Sequence, residues 1–245
     1  MSETNKKPVS EVYRPELTRL PNLSRKRKIL RWILKGLIWV INRLLLNTTL
    51  YGRAHIPHEG PLLIVSNHLG DADVVVGLAL SEVPFDFMGK IELYDIPVVG
   101  QLMDWYGTIW VHRGRPDRRA LRAALSGLEE GRIVGIAPEG RESVSGGLEQ
   151  GTDGAAYIAL KADVPILPVV FTGTENWRVY GNLKKFRRTR ITATAGPTFR
   201  LQQTGDRHSD LEDGTKKIMR TLASMLPPEY QGVYQNPIKE DFDNA

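Results

Sequence analysis

Two short segments of this chain each place an aspartate five residues after a histidine. His68 and Asp73 follow an apolar run, and His112 and Asp117 form the second pair. A neutral imidazole can take a proton from an attacking hydroxyl, while a neighbouring carboxylate fixes its tautomer and stabilises the imidazolium that forms. Both pairs therefore have the residue types of a general base and its orienting partner. Because the spacing occurs twice, spacing alone does not show which pair is functional.

The segment around His68 has two interpretations. Its residues predict a buried strand, then a loop with Gly70, then a helix that begins near Asp71. Asp71 or Asp73 can cap or charge-stabilise the amino-terminal end of that helix, and His68 is then a hydrogen-bonded residue at the end of a strand. In the other interpretation His68 is a base and Asp73 orients its ring. The segment by itself leaves both interpretations open.

Two further loops carry basic residues after predicted strands. In the loop at residues 138–143, Arg141 can clamp a phosphate in a bidentate way, and Gly140 lets the backbone approach a ligand closely. The alternative is a plain Pro-Glu-Gly turn with solvated charges. The other loop adds Arg113 and Arg115, with a solvated basic turn as its alternative. A phosphate-bearing ligand would explain both loops.

The elements that must position these loops alternate along the chain. Strands are predicted at residues 62–66, 85–88, 108–112, 132–137 and 166–172, and helices at residues 71–81, 117–130, 152–161 and 211–226. Near-continuous apolar strands between helices are typical of a mostly parallel sheet covered by helices on both faces, hence an α/β domain. Ligands of such sheets bind beyond the carboxyl ends of the strands. The three loops are therefore expected to open onto one crevice.

All of the excess positive charge lies in one amino-terminal segment. The net charge is +5, yet residues 17–58 contain nine Lys or Arg and no Asp or Glu. Apolar residues then recur at helical spacing, with Lys28, Arg31 and Lys35 on the opposite face, and no uninterrupted run approaches the ~20 apolar residues that span a bilayer. We predict a basic amphipathic helix that lies in the interface of an anionic membrane. The alternative is an ordinary amphipathic helix docked on the domain.

Several other chemistries lack support in the sequence. The absence of cysteine excludes disulfides, thiolate nucleophiles and zinc-thiolate sites. There is no Gly-x-Ser-x-Gly elbow and no glycine-rich nucleotide fingerprint. His55 and His58 lack companion ligands, so no metal site is predicted. The basic residues 184–190 can touch phosphates or form a solvated strand edge, and no nucleic-acid partner is predicted because the basic helix is too apolar on its other face.

Taken in order, the loops resemble the glycerolipid acyltransferase family, specifically the bacterial 1-acylglycerol-3-phosphate acyltransferases. The similarity covers roughly residues 50–175. Its four blocks are residues 60–73, with the pattern Asn-His-x4-Asp; residues 90–93, 97–100 and 107–113; Pro-Glu-Gly-Arg at residues 138–141; and residues 164–168. In these blocks His68 and Asp73 hold the catalytic positions. His112 falls at the end of the second block, where only Arg113 matches a functional position.

The resemblance implies transfer of a fatty acyl group from acyl-CoA or acyl carrier protein to the free hydroxyl of 1-acylglycerol-3-phosphate, giving phosphatidic acid in phospholipid biosynthesis. His68 would be the general base and Asp73 its orienter, with no metal and no cofactor besides the thioester co-substrate. The setting would be the cytoplasmic face of a membrane, with a peripheral or monotopic protein. The alternatives are glycerol-3-phosphate, another lysophospholipid, a glycolipid or an aminolipid as acceptor, or a non-catalytic lipid-binding protein.

The same resemblance implies a site for the acceptor phosphate. The residues expected to bind or shape it are Lys90, Arg113, Glu139, Gly140 and Arg141. The cations would hold the phosphate, and Glu139 would organise the arginines.

This chain departs from the family at that site. The third block of the family usually reads Pro-Glu-Gly-Thr-Arg-Ser, whereas this chain has Pro-Glu-Gly-Arg-Glu-Ser, which adds Glu142. Thr152 and Asp153 stand where the family commonly has lysines.

Four regions follow from these patterns. We predict a flexible arm at residues 1–22, the interface helix at residues 23–48, an acyltransferase domain at residues 49–228 and a tail at residues 229–245.

Overall fold

One seven-stranded sheet forms the centre of the protein. The computed structural model describes residues 9–114 and 116–235. In chain order the strands are β1 Leu46–Tyr51, β2 Leu62–Ser66, β3 Asp86–Lys90, β4 Ile109–Val111, β5 Ile133–Ile136, β6 Ile166–Thr172 and β7 Thr189–Ala195. Their order across the sheet is β1-β7-β6-β2-β5-β3-β4, and every neighbouring pair is parallel except β6 and β7.

Helices cover both faces of the sheet. They are α1 Arg25–Leu45, α2 Ala72–Leu80, α3 Val99–Tyr106, α4 Arg118–Glu129, α5 Gly154–Ala162, α6 Asn176–Leu183 and α7 Arg207–Met225. One apolar core joins the sheet to α4, α5 and α7, and a second joins it to α1 and α2. The predicted α/β fold with a mostly parallel sheet is confirmed.

Two strands and two short helices were not predicted from the sequence. All five predicted strands are present, but β1 and β7 were missed, and so were α3 and α6. In β7 buried positions alternate with exposed or half-buried ones, and most of its residues are threonine or alanine, while in β1 only Leu46 is buried. Helices α3 and α6 have eight residues each. Weak periodicity over so few residues gives little signal.

Helix α1 is docked on the domain by one face. Leu30, Leu34 and Ile38 pack into the core beside α2. Arg31 is buried, with Nη1 at 2.7 Å from Oδ1 of Asp86 and the guanidinium carbon 4.6 Å from the centre of the Tyr106 ring. Arg31 was expected on the solvated face, so this is a correction. The Arg31 side chain is long enough to reach past the apolar stripe, and the buried carboxylate of Asp86 is its counter-ion.

The opposite face of α1 is apolar and exposed. The exposed apolar side chains of this helix are Ile29, Trp32, Ile33, Leu37, Trp39, Val40, Ile41, Leu44 and Leu45, and those of the neighbouring α3 region are Ile96, Val98, Val99, Leu102 and Trp105. We call these residues together the apolar surface. No helix among the described residues is both long and apolar enough to cross a membrane.

The described part of the predicted arm contacts the domain. The backbone N–H of Ser10 donates to the carbonyl of Arg113 at 3.0 Å, Thr18 is buried, and Leu20 packs on the core beside α4. Residues 9–22 are thus docked along the domain in this structure, while residues 1–8 and 236–245 lie outside the described residues.

Candidate active site

His68 leaves the carboxyl end of β2 and meets Asp73 in the first turn of α2. Nδ1 of His68 lies 2.8 Å from Oδ2 of Asp73. The His68 side chain is 23% exposed and that of Asp73 only 4%. The five-residue spacing works because the chain turns through Gly70 between the strand and the helix. A Cβ at Gly70 would lie 2.6 Å from the carbonyl oxygen of Thr174, so only glycine fits there.

Asp73 also holds the loop in place. The same Oδ2 accepts the backbone N–H groups of Leu69 at 2.7 Å and Gly70 at 3.0 Å. Its position in the first turn of α2 places the carboxylate at the positive end of the helix dipole. Asp73 therefore stabilises the helix start and orients His68 at once, so the two sequence interpretations are compatible.

The hydrogen bond to Asp73 decides the tautomer of His68. A carboxylate accepts, so Nδ1 carries the proton and Nε2 has the free lone pair of a base. Among the described residues, no hydrogen-bond partner lies on Nε2 of His68. Burial lowers the pKa of His68, but the hydrogen bond and charge of Asp73, helped by Glu142 and Glu139, raise it above its usual value overall. This His68 can both accept a proton and hold it as an imidazolium.

Glu139 supports the loop from behind. It is fully buried; Oε1 accepts the backbone N–H of His68 at 2.9 Å, and Oε2 accepts that of Glu149 at 2.8 Å. Burial raises the pKa of Glu139 to about 7. The sequence interpretation placed Glu139 in the substrate pocket, whereas in the structure it lies beneath the His68 loop. Gly140 next to it has a positive φ of 73°, which a residue with a side chain adopts only with strain.

Arg141 is occupied by a carboxylate. Its Nε lies 2.5 Å from Oε2 of Glu149, and the residue is buried. Oε1 of Glu149 accepts the backbone N–H of Val144 at 2.8 Å. Arg141 thus ties the loop after β5 to Glu149 through its Nε, and its positive charge has a carboxylate partner. A buried guanidinium needs a counter-ion, and Glu149 provides it for Arg141.

Lys90 and Glu142 form an ion pair at the crevice. Nζ of Lys90, at the end of β3, lies 3.5 Å from Oε1 of Glu142. Oε2 of Glu142 accepts the side-chain amide of Asn176 at 2.9 Å, and Oδ1 of Asn176 accepts the backbone N–H of Asp71 at 2.9 Å. The departure in the third block was a visible signal for Glu142. No sequence pattern pointed to Asn176.

Arg113 lies after β4, next to β3 in the sheet. Its backbone N–H donates to Oγ of Ser10 at 2.8 Å. Its half-buried side chain has no ion pair or hydrogen bond within the described part of the chain. Of the three predicted phosphate-binding cations, Arg113 is therefore the one without a carboxylate partner. Arg115 lies outside the described residues.

An apolar cavity runs from His68 between α2 and the sheet. Residues of β2, β3, β5, β6 and β7 form its floor, with α2 above it. The residues that line it include Ser66, His68, Asp73, Gly77, Phe85 and Phe171. Its apolar walls suit a hydrocarbon chain and its polar end carries the His68 ring.

The second histidine pair forms a similar bond in a closed setting. Nδ1 of His112 lies 2.9 Å from Oδ2 of Asp117, but Nε2 of His112 accepts the backbone N–H of Arg14 at 2.9 Å. The Tyr13 ring packs against the imidazole, at 5.2 Å between ring centres. With both nitrogens engaged, His112 has no lone pair to offer a substrate.

The region of this chain that is similar to known proteins includes the residues described above. The family model described as Acyltransferase matches residues 47–172, which include the His68 loop, Lys90, Arg113 and the loop after β5. The crystal structure of the 1-acyl-sn-glycerophosphate (LPA) acyltransferase PlsC from Thermotoga maritima shares the fold, with a TM-score of 0.61, 22% identity and coverage of 83% of this chain and 84% of that chain.

Curated relatives carry one activity name. A 1-acyl-sn-glycerol-3-phosphate acyltransferase of Chlamydomonas reinhardtii is 27% identical over 187 residues, which are 75% of this chain and 54% of the relative. One of Borreliella burgdorferi is 33% identical over 129 residues, 51% of each chain. The chain thus spans about half the length of these relatives. Because the family model covers more than half of its length, the chain belongs to the acyltransferase family.

Proposed function

We propose that this acyltransferase moves a fatty acyl group from acyl-CoA or acyl carrier protein to the free hydroxyl of 1-acylglycerol-3-phosphate, forming phosphatidic acid. One observation carries the proposal: Nε2 of His68 is unpartnered within the described residues while Asp73 fixes the ring, and both line an apolar cavity. The names of the relatives supply the acceptor, which for this chain is part of the proposal.

The proposed reaction begins with removal of a proton. Nε2 of His68 takes the proton of the acceptor hydroxyl as its oxygen attacks the thioester carbonyl carbon, and Asp73 stabilises the imidazolium that forms. The tetrahedral intermediate collapses with cleavage of the carbon–sulfur bond. The departing thiolate receives the proton from Nε2 and leaves as the free thiol. No acyl-enzyme forms, so the chain needs no nucleophilic side chain.

The cavity and the cations divide the substrates between them. A fatty acyl chain fits the apolar space between α2 and the sheet. The acceptor phosphate binds at the open crevice, where Arg113 and Lys90 lie on neighbouring strand ends. Arg141 and Glu139 act indirectly, since each holds the backbone or a carboxylate of the loop after β5.

The apolar surface is proposed as the contact with the membrane. Two tryptophans of α1, Trp32 and Trp39, are about half exposed, as amphipathic rings at a lipid interface often are. Arg25, Lys26 and Lys28 are exposed at the start of the helix and can meet an anionic leaflet at its cytoplasmic face. Arg31 is occupied by Asp86, so fewer cations are available than the sequence suggested.

Thiol release provides the test. The protein is incubated with a long-chain acyl-CoA and 1-acylglycerol-3-phosphate; free thiol is titrated and the lipid product is identified by mass spectrometry. The chain has no cysteine, so it adds no thiol background. We expect thiol release that requires the acceptor and equals the phosphatidic acid formed. Binding to anionic vesicles without thiol release would instead show a non-catalytic lipid-binding protein.

A further inference from the structure

A carboxylate lies on the headgroup side of the crevice, where the proposed function needs positive charge. We propose that Glu142 recognises an ammonium group, and that the enzyme therefore also acylates lysophospholipids whose headgroup joins a phosphodiester to a primary amine, as in lysophosphatidylethanolamine. This inference rests on the proposed function for its acyl transfer and adds a second class of acceptor.

Glu142 is held close to the base. Ser143, the next residue, donates its backbone N–H to the carbonyl of His68 at 2.7 Å. Asn176 links Glu142 to the same loop, because its amide donates to Glu142 and its carbonyl accepts the N–H of Asp71. An acceptor whose hydroxyl reaches His68 therefore brings its headgroup within reach of Glu142.

The carboxylate is also accessible. The side chain of Glu142 is 26% exposed and that of Lys90 is 28% exposed, whereas the buried pair Arg31 and Asp86 is 5% and 1% exposed. The distance of 3.5 Å between Glu142 and Lys90 is long for a charge-assisted hydrogen bond, against 2.7 Å for Arg31 and Asp86. The Lys90 and Glu142 pair is open and loosely held, so a ligand can insert its own charges between the two groups.

The charges of Lys90 and Glu142 match a phosphodiester that carries an ammonium group better than they match a phosphate monoester. A phosphate monoester carries nearly two negative charges at neutral pH and meets repulsion from Glu142. A phosphodiester with an ammonium carries one charge of each sign, so its phosphate can contact Lys90 while its ammonium contacts Glu142. Opposite charges arranged in this way favour the complementary ligand and disfavour the other.

The substitution Glu142→Gln tests the charge of this side chain separately from its hydrogen bond. The amide oxygen of glutamine can still accept the hydrogen bond of Asn176, so the loop keeps its connection. Glu212→Gln is the matched control, since Glu212 pairs with Lys216 on an exposed face of α7. Thiol release is measured with three acceptors of one acyl chain: 1-acylglycerol-3-phosphate, lysophosphatidylethanolamine and lysophosphatidylcholine, whose quaternary ammonium cannot donate a hydrogen bond.

Wild type is expected to acylate lysophosphatidylethanolamine in preference to lysophosphatidylcholine. In Glu142→Gln, kcat/KM for lysophosphatidylethanolamine relative to 1-acylglycerol-3-phosphate should fall about two- to fivefold, the size of one partly exposed ion pair. Glu212→Gln should leave the ratio unchanged. An unchanged ratio in Glu142→Gln, or a wild type that acylates only the monoester, overturns this inference and leaves the proposed function standing. A wild type that releases no thiol with any acceptor overturns both.

Discussion

The two histidine–aspartate pairs have the same spacing and nearly the same hydrogen bond, yet they lie in opposite settings. Their Nδ1 to Oδ2 distances are 2.8 Å for His68 and 2.9 Å for His112. In both pairs the aspartate also accepts backbone N–H groups: Asp73 accepts two from the loop before α2, and Asp117 accepts two from the first turn of α4. The pairs differ at the other ring nitrogen, which is open in His68 and bonded to the Arg14 N–H in His112.

Neighbouring segments create that difference. A cavity borders His68, because α2 and the sheet leave apolar space beside its ring. Residues 13–18 lie over His112, where the ring packs on Tyr13 and Thr18 is buried. A local motif can thus build the base and its orienter, but only the surrounding chain determines whether the base is accessible.

The largest effect should distinguish the two histidines by activity. His68→Ala removes the proposed base, and we expect acyl transfer to fall by ~10²–10⁴ in kcat. His112→Ala, the matched control, should keep kcat within a few-fold because no substrate reaches its ring. Thiol release measures both, and circular dichroism checks that both variants fold. Near-full activity in His68→Ala would remove its role, and a comparable loss in folded His112→Ala would break the comparison.

The two aspartates should differ next, in rate and in pH profile. Asp73→Asn can present its amide to the ring and favour the wrong tautomer, so kcat should fall by about 10² or more. The acid limb of kcat/KM should lie above pH 6.5 in the wild type, because the pKa of His68 is raised. In Asp73→Asn it should move to lower pH, since burial still lowers that pKa and the Asp73 charge is gone. Asp117→Asn should leave both readouts unchanged; an unmoved acid limb in Asp73→Asn would contradict the assignment.

The smallest effect should be a difference in how the pairs contribute to stability. The pKa of His68 is raised on folding, so its contribution is present below pH 6.5 and is lost as pH rises through the folded pKa. Burial acts to raise the pKa of Asp117, but hydrogen bonds from His112, Ala120 and Arg119 lower it overall, so its contribution is present above pH 3.8 and is lost as pH falls further.

Urea unfolding can measure these opposite signs. The free energy of unfolding lost in His68→Ala should be larger at pH 5.5 than at pH 8.5, and that lost in Asp117→Asn should be larger at pH 6 than at pH 3. A loss in His68→Ala that is the same at pH 5.5 and pH 8.5, or a loss in Asp117→Asn that is the same at pH 6 and pH 3, would contradict the direction of the corresponding pKa shift.

Much of the fold was predictable because its central strands are strongly apolar. Strands β2 and β6 begin and end at the predicted residues, since each is a short apolar run between turn residues. The edge region of β1 and β7 was not, because threonines and a basic run give these strands no clear hydrophobic period. Helical spacing placed Arg31 with the solvated charges. Its partner Asp86 became visible only once α1 was seen packed against α2 and β3.

The candidate site was also predictable only in part. The His68 and Asp73 pair was readable because both residues lie on one loop and the spacing is local. The pairing of the cations was not predictable. Arg141 pairs with Glu149 and Lys90 pairs with Glu142, and both glutamates lie on the long loop after β5. A sequence motif names which charges are present, but it does not show which of them neutralise each other.

By itself, the sequence determined the α/β fold, the strand ends that carry the loops and the residue types of the base and its orienter, because these follow from hydrophobic period and local spacing. Tertiary structure alone decided which histidine has an open nitrogen, which cations keep their charge available and which face of α1 is exposed. Each of these depends on contacts between segments far apart in the chain, such as Arg14 with His112 and Arg31 with Asp86. Such contacts arise from packing, and no local pattern encodes them.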